Sequence, residues 1–392
     1  MNKILVCCIV VFACTGFVLK SESVATHFLS EVPFNFDFGV PIIKVTIDGN
    51  EYDFLFDTGM PTAVSKSISE KLKLKNSRIG SGKDVLGNAH QENFVVVNRT
   101  EVGGVGFDDV EALTLDFSSS IELGCLKLDG VIGNNIIKEA VWEIDYERKV
   151  IRLTDDIANF EMPENASEIK FKTNAKRGYF SPNIDVVVNN KKRKGVKFDT
   201  GSSGGVRLPL AYFSSVIDST KSVEYYGKAT VSVYGDGQNK RFVDSKVKTL
   251  EIGDLELQSY HVTFHENAPT VGNLLFKDFK LIINYEDSKM YLIEQKELEN
   301  EKLENFGFQT RVIDQKAFVS IVYKNSEAEK LGLQLGDEIL SLNGIKLTDL
   351  ISKDVCFYLQ NNPLKSNETV DIVYVREGKE YSLQLEKQIL LQ

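Results

Sequence analysis

The chain has 392 residues, 42% hydrophobic and 26% charged, which is too long for one core and ordinary for a folded globular protein, so two or three domains are expected. Its formal net charge of -10 speaks against DNA or RNA as a partner, because a nucleic-acid surface needs clustered cations. Residues 1–23 stand apart. Lys3 precedes an apolar run, Ile4 to Phe12, that is too short for a membrane span and fits a secretory signal peptide. Val11-Phe12-Ala13-Cys14 also resembles a lipobox with a bulky Phe12, and lipidation at Cys14 is the one reading in which a cleaved product stays on a membrane. An anchor that is never removed is the third reading. No later segment is apolar enough to cross a bilayer. Two cysteines lie beyond this segment, Cys125 and Cys356; they fall in different expected domains and read as unpaired, buried apolar residues.

The next three hundred residues contain a repeat. Residues 131–153 (VIGNNIIKEAVWEIDYERKVIRL) align without a gap on residues 270–292 (TVGNLLFKDFKLIINYEDSKMYL), matching Gly133 to Gly272, Asn134 to Asn273 and Tyr146 to Tyr285. Upstream, Asp53-Phe54-Leu55-Phe56-Asp57-Thr58-Gly59 corresponds to Gly195-Val196-Lys197-Phe198-Asp199-Thr200-Gly201. A period of roughly 140 residues is a duplicated domain and not a solenoid. Each unit alternates Val, Ile, Phe, Tyr and Thr with Gly/Asn/Asp turns, the pattern of antiparallel hairpins. A short helix is expected after each Asp-Thr-Gly (Ser65–Leu72 and Leu208–Ile217) and another after each Gly-Asn pair. Lobe 1 (residues 24–160) carries an insertion around Asp116–Leu128 that lobe 2 (residues 161–294) lacks.

Phe56-Asp57-Thr58-Gly59 and Phe198-Asp199-Thr200-Gly201-Ser202 resemble the active-site turns of pepsin-like and retropepsin-like aspartic proteases, and Val131-Ile132-Gly133 and Thr270-Val271-Gly272 resemble the element that completes each half-site. The resemblance covers residues from about 34 to 293. It implies a mainly β fold of two pseudo-symmetric lobes, a retropepsin-like pseudo-dimer, with Asp57 and Asp199 as a catalytic pair acting on polypeptide substrates. It also implies that Thr58 and Thr200 lock the two turns together. Two carboxylates held close share one proton, so one acts as base and the other as acid. Gly59 and Gly201 let the backbone approach closely. No cofactor and no metal is implied. The pair is expected to be unequal: Ser202 is placed to donate to Asp199, whereas Met60, at the matching position, cannot help Asp57, so the shared proton is expected on Asp57. Flaps are expected at Gly80–Phe94, turning at Gly87-Asn88, and at Gly227–Phe242. Tyr225, Tyr226 and Tyr234 lie in or near the second flap, within reach of a substrate, and read mostly as strand residues.

Other motifs carry less. His261 and His265 lie four apart in a β-type segment without the H-E-x-x-H order, so a metal site is not expected. Asn98-Arg99-Thr100, Asn165-Ala166-Ser167 and Asn367-Glu368-Thr369 fit the glycosylation pattern and read as chance. Residues 295–305, closing the run EQKELENEKLEN, read as a charged, semi-rigid and partly helical linker. Residues 306–392 differ again: Asn305-Phe306-Gly307-Phe308 resembles the carboxylate-binding loop of PDZ domains, and Ser326–Gly344 resembles the bacterial PDZ pattern, with Glu327 and Leu331 at two positions that usually hold Pro and Ala. The resemblance implies an α+β module in which Phe306, Gly307 and Phe308 cradle a peptide C-terminus beside a helix over Leu350–Leu359. Together these readings give an exported aspartic endopeptidase with a PDZ-like recognition domain. The alternative is a catalytically degenerate peptide-binding scaffold on the same folds.

Overall fold

The computed structural model describes residues 27–83, 89–118, 121–229, 231–232, 235–296, 302–361 and 363–391. The signal-peptide and Cys14 readings, the Gly87-Asn88 turn, Tyr234 and the middle of the charged linker lie outside the described residues.

Hairpins dominate both lobes, and their turns explain why. Strands Ile42–Ile47 and Asn50–Phe56 pair from Ile42↔Leu55 to Ile47↔Asn50, around Asp48 and Gly49 at φ 48° and 74°. The lobe 2 equivalent joins Tyr179–Val188 to Lys191–Phe198 through Asn189 and Asn190, at φ 47° and 66°. Two consecutive left-handed residues match the natural twist of the flanking strands, and Asp, Asn and Gly are the residues that tolerate this conformation. The helices expected after each Asp-Thr-Gly form as Lys66–Lys71, capped by the Ser65 side chain, and Leu210–Phe213. Those after the Gly-Asn pairs form as Asn134–Ile137 and Asn273–Phe276.

The lobes are not merely adjacent. Leu29–Asn35, Val150–Thr154 and Val141–Asp145 of lobe 1 form one antiparallel sheet with Phe279–Asn284, Lys289–Glu294 and Ser167–Lys170 of lobe 2. Its central pair joins the repeat-equivalent strands, Trp142↔Ile283 and Ile144↔Leu281 in register. All four residues are fully buried, and a single apolar cluster runs through both lobes. Burial at about 25 cal/mol per Å² of apolar surface makes this shared core, and not the polar contacts described below, the main reason the lobes stay together.

The C-terminal module packs its own core, including Phe308, Val319, Ile339, Leu342, Val355 and Val370, between a sheet and the helix Ser352–Gln360. The end of the charged linker is not helical. Leu303–Asn305 is a strand paired with Gln388–Leu391, so these residues belong to the module. Strand Lys316–Tyr323 also pairs antiparallel with Ser222–Gly227 of lobe 2, which makes the two sheets continuous. Gly227 permits this: its φ is 146°, and a Cβ there would lie 2.0 Å from the Ser320 carbonyl oxygen. Val223, Tyr225, Phe242, Ile321, Tyr323 and Leu391 form the apolar joint. Tyr225 is thus a core residue stacked on Phe242 at 5.0 Å, while Tyr226 is exposed.

The reading of the two cysteines as unpaired is overturned. Cys125 and Cys356 form a disulfide with Cα atoms 5.3 Å apart. Their sequence separation of 231 and their place in different domains hid the contact. Only the docking of the lobe 1 insertion on the C-terminal module brings them together.

Candidate active site

Asp57 and Asp199 each follow the last residue of a strand, and each strand end is gripped by the hydrophobic-hydrophobic-Gly segment of its own lobe. Phe54, Leu55 and Phe56 pair in parallel with Gly130, Val131 and Ile132. In lobe 2, Lys197 and Phe198 pair with Thr270 and Val271. The ladders end identically: Asp57 N donates to Ile132 O and Asp199 N to Val271 O, both at 2.9 Å. Gly133 and Gly272 then pass directly against the turns. A Cβ on Gly133 would sit 2.2 Å from the Pro61 carbonyl carbon, and one on Gly272 would sit 2.6 Å from Gly204 O. Space, not backbone freedom, demands glycine at both positions, since both have ordinary extended conformations.

The two turns face each other across the lobe boundary. A Cβ on Gly59 would be 2.6 Å from Asp199 Cγ, and a Cβ on Gly201 would be 2.2 Å from Asp57 Oδ2. Each glycine is therefore the floor on which the other lobe's carboxyl rests. Thr58 and Thr200 fasten this arrangement reciprocally. Thr58 Oγ1 donates to Phe198 O (2.8 Å) and accepts from Thr200 N (3.1 Å). Thr200 Oγ1 donates to Phe56 O (3.0 Å) and accepts from Thr58 N (3.0 Å). Both threonines are fully buried, so every bond is shielded from water.

The two carboxyls face each other across the lobe boundary, close enough for each to feel the other's charge. Asp57 Oδ1 accepts from Gly59 N at 2.6 Å and Asp199 Oδ1 from Gly201 N at 3.1 Å. Both residues are buried, at 7% exposure each. Burial first, and then the charge of Asp199, hold the Asp57 carboxyl well above the usual carboxylate range; Gly59 N–H and the Lys197 ammonium pull the other way. A buried carboxyl pair of this kind keeps one proton where an isolated carboxylate would lose it. The expected reason for inequality is not found, however. Among the described residues the Ser202 hydroxyl makes no bond to Asp199; it accepts from Gly204 N at 3.3 Å. Met60 turns into an apolar cluster with Val40, Leu55 and Val131, and its carbonyl accepts from Asn134 N.

Sequence reasoning assigned no role to several residues here. Asn134 Nδ2 reaches Thr58 O (3.4 Å) and Ser181 Oγ (3.0 Å), while Asn273 Nδ2 reaches Thr200 O (2.6 Å) and Ser202 O (3.0 Å). These asparagines brace the two turns from below, and Tyr146 OH in turn donates to Asn273 Oδ1 at 2.6 Å. All three stood aligned in the repeat, which was the available signal. Ser181 Oγ and Lys197 Nζ both donate to Gly59 O, at 2.9 and 3.0 Å. Lys197 therefore brings a lobe 2 cation to the lobe 1 turn, and Leu55, its repeat counterpart, cannot do the same.

The flap segments are hairpins: Asn76–Lys83 pairs with Ala89–Val102, and Val231–Ser232 with Gly235–Asp236. His261 and His265 share the strand Leu255–His265. Burial, with Arg207 and Lys240 nearby, pushes His265 down to about 4, and its Nδ1 accepts from Asn267 N. No cluster of three His, Cys, Asp or Glu suited to a metal ion occurs among the described residues. In the C-terminal module, Phe306 and Phe308 are 1% exposed and serve the core. Gly307 has φ 80°, its N–H donates to Asn305 Oδ1 at 2.7 Å, and its carbonyl accepts from Tyr323 N. A peptide carboxylate would have to displace the Asn305 side chain to use that N–H.

Residues 43–136 match the family model for aspartyl proteases, and residues 318–373 match a PDZ domain model. The first match contains Asp57, Thr58, Gly59 and Gly133 and stops within lobe 1; the second covers most of the C-terminal module. No curated protein matches the chain.

Proposed function

We propose that this chain, an aspartic protease fold with a C-terminal PDZ domain, is an exported endopeptidase that hydrolyses peptide bonds between Asp57 and Asp199. One observation carries the reading: two buried carboxyls from opposite lobes face each other across the boundary, where burial and the charge of Asp199 favour retention of a proton on Asp57. In this reading Asp199 is the base that takes a proton from water while Asp57 donates its proton to the scissile carbonyl oxygen. The water oxygen bonds to the carbonyl carbon in that step; the gem-diol then collapses as Asp199 gives its proton to the leaving nitrogen and Asp57 takes one from a diol hydroxyl, so the C–N bond breaks and the pair regains its starting protonation. The threonine bonds and the asparagine braces keep the carboxyls oriented before substrate arrives, which is where most of the advantage of a fixed site lies. The PDZ domain serves polypeptide recognition. Export rests on residues 1–23, with lipidation at Cys14 as a second route to the cell envelope.

The test is digestion of unfolded casein by the purified protein across acid and neutral pH, read by mass spectrometry of the fragments. Cleavage that disappears in both Asp57→Asn and Asp199→Asn supports the proposal. Equal cleavage by either variant, or none by the wild type at any pH, removes it.

A further inference from the structure

The insertion that distinguishes lobe 1 from lobe 2 ends on the C-terminal module. Its helix, Ile121–Leu126, touches both elements that wall a PDZ peptide groove. On the strand Phe308–Ile313, Arg311 Nε donates to Glu122 Oε1 at 2.8 Å, with the Arg311 side chain only 7% exposed. On the helix Ser352–Gln360, Cys356 is bonded to Cys125. Ile121 packs on the module's apolar core. The strand Phe308–Ile313 pairs on one side only, with Lys316–Tyr323. Its other edge carries no strand among the described residues. A helix satisfies its own backbone and offers no ladder of N–H and C=O groups to that edge. The insertion therefore covers the groove without using the groove's peptide-binding chemistry.

We propose that the insertion helix is a tethered plug on the PDZ groove and that the Cys125–Cys356 disulfide is its latch. When a dithiol reduces that bond, the groove accepts an extended peptide that adds as a strand to the free edge of Phe308–Ile313. The inference rests on the peptide-recognition part of the proposed function and not on the peptidase part. The exchange balances: the dithiol gives up two electrons and two protons and becomes a disulfide, while the Cys125–Cys356 bond breaks to two thiols. Attack falls on the Cys356 sulfur, since Cys125 is buried and Cys356 less so. While latched, the plug stands over the groove at an effective concentration of about millimolar or more, which excludes free peptides of modest affinity. Once reduced, non-covalent contacts hold it, Glu122–Arg311 and the Ile121 packing among them. The pairing of Ser222–Gly227 with Lys316–Tyr323 keeps the module on lobe 2 throughout, so the opening moves the insertion and leaves the carboxyl pair in place.

The test uses the full chain carrying Asp199→Asn in every arm, so that cleavage does not enter and its failure is separable from failure of the peptidase reading. Hydrogen exchange is followed in oxidised protein, in dithiothreitol-treated protein and in a Cys125→Ser variant. Reduction is expected to speed exchange roughly tenfold or more in residues 121–128 and 308–313, and to leave 279–284 protected. A random heptapeptide library is expected to enrich on reduced or Cys125→Ser protein and not on oxidised protein. Unchanged exchange after reduction, enrichment on both forms or on neither, or loss of protection throughout the chain would each overturn the latch. Because reduction acts on protein that has already folded, the test stands even where Cys125→Ser folds poorly.

Discussion

Replacing Thr200 with Val removes one oxygen from the boundary between the lobes and changes little else. Val keeps the branched shape of Thr, so no cavity opens and the rotamer stays available. The Thr58 amide and the Phe56 carbonyl, both bonded to Thr200 Oγ1 at 3.0 Å, lose their cross-lobe partner in a fully buried place. An orphaned buried polar group costs about 1–3 kcal/mol, so the pair should cost roughly 2–5 kcal/mol. For domains of this size that corresponds to a fall in Tm of about 5–10 °C. Thr200→Ser keeps the oxygen, loses one methyl, and should cost only about 1 kcal/mol. Thermal melts of the two variants make the comparison, with Thr58→Val as the symmetric control. The double variant Thr58→Val/Thr200→Val should cost less than the sum, because the hydroxyls belong to one network. A Val variant that melts with or above the Ser variant would refute the reasoning.

Other perturbations follow from the same geometry. Gly201→Ala should cut casein turnover by on the order of 100-fold while circular dichroism stays native, since its Cβ would lie 2.2 Å from Asp57 Oδ2; retained turnover would contradict the close approach. Lys197→Met removes the cation that favours ionised Asp57, so Asp57 should keep its proton to higher pH and the alkaline limb of the pH–rate profile should move to higher pH, and Lys197→Arg should restore it. An unmoved profile would leave Lys197 only its bond to Gly59 O. His265, pushed down to about 4, stays neutral in the fold while the unfolded chain takes up a proton from about pH 6.5 downward. Stability should therefore fall by about 3 kcal/mol between neutral pH and pH 4, and urea unfolding of His265→Gln should lack that part of the loss.

The repeat made the site legible before any coordinates. Aligning 131–153 on 270–292 placed Gly133 and Gly272 as partners, and their positions explain why no larger residue fits. Asn134, Asn273 and Tyr146 were visible in the same alignment, but which carbonyls they reach depends on a turn geometry that spacing alone does not fix. The reasoning from Ser202 went wrong because the turn points its hydroxyl back to Gly204 N. Local sequence was silent on two larger features. The central strand pair of the shared sheet, Val141–Asp145 beside Phe279–Asn284, depends on how the lobes dock. The Cys125–Cys356 bond depends on where a third module lands. Both are long-range pairings in which neither partner carries a local signature of the other.

One proton shared by two carboxyls from opposite lobes is the centre of the proposed chemistry. The most direct measurement is carbon NMR of protein labelled at the aspartate carboxyls, titrated from acid to neutral pH, in the wild type and in each single Asn variant. The pair is expected to titrate as a unit, with its upper step well above the ordinary aspartate range, and either Asp57→Asn or Asp199→Asn is expected to abolish that pattern. Two carboxyls that titrate independently near the ordinary value, each unaffected by loss of the other, would contradict it.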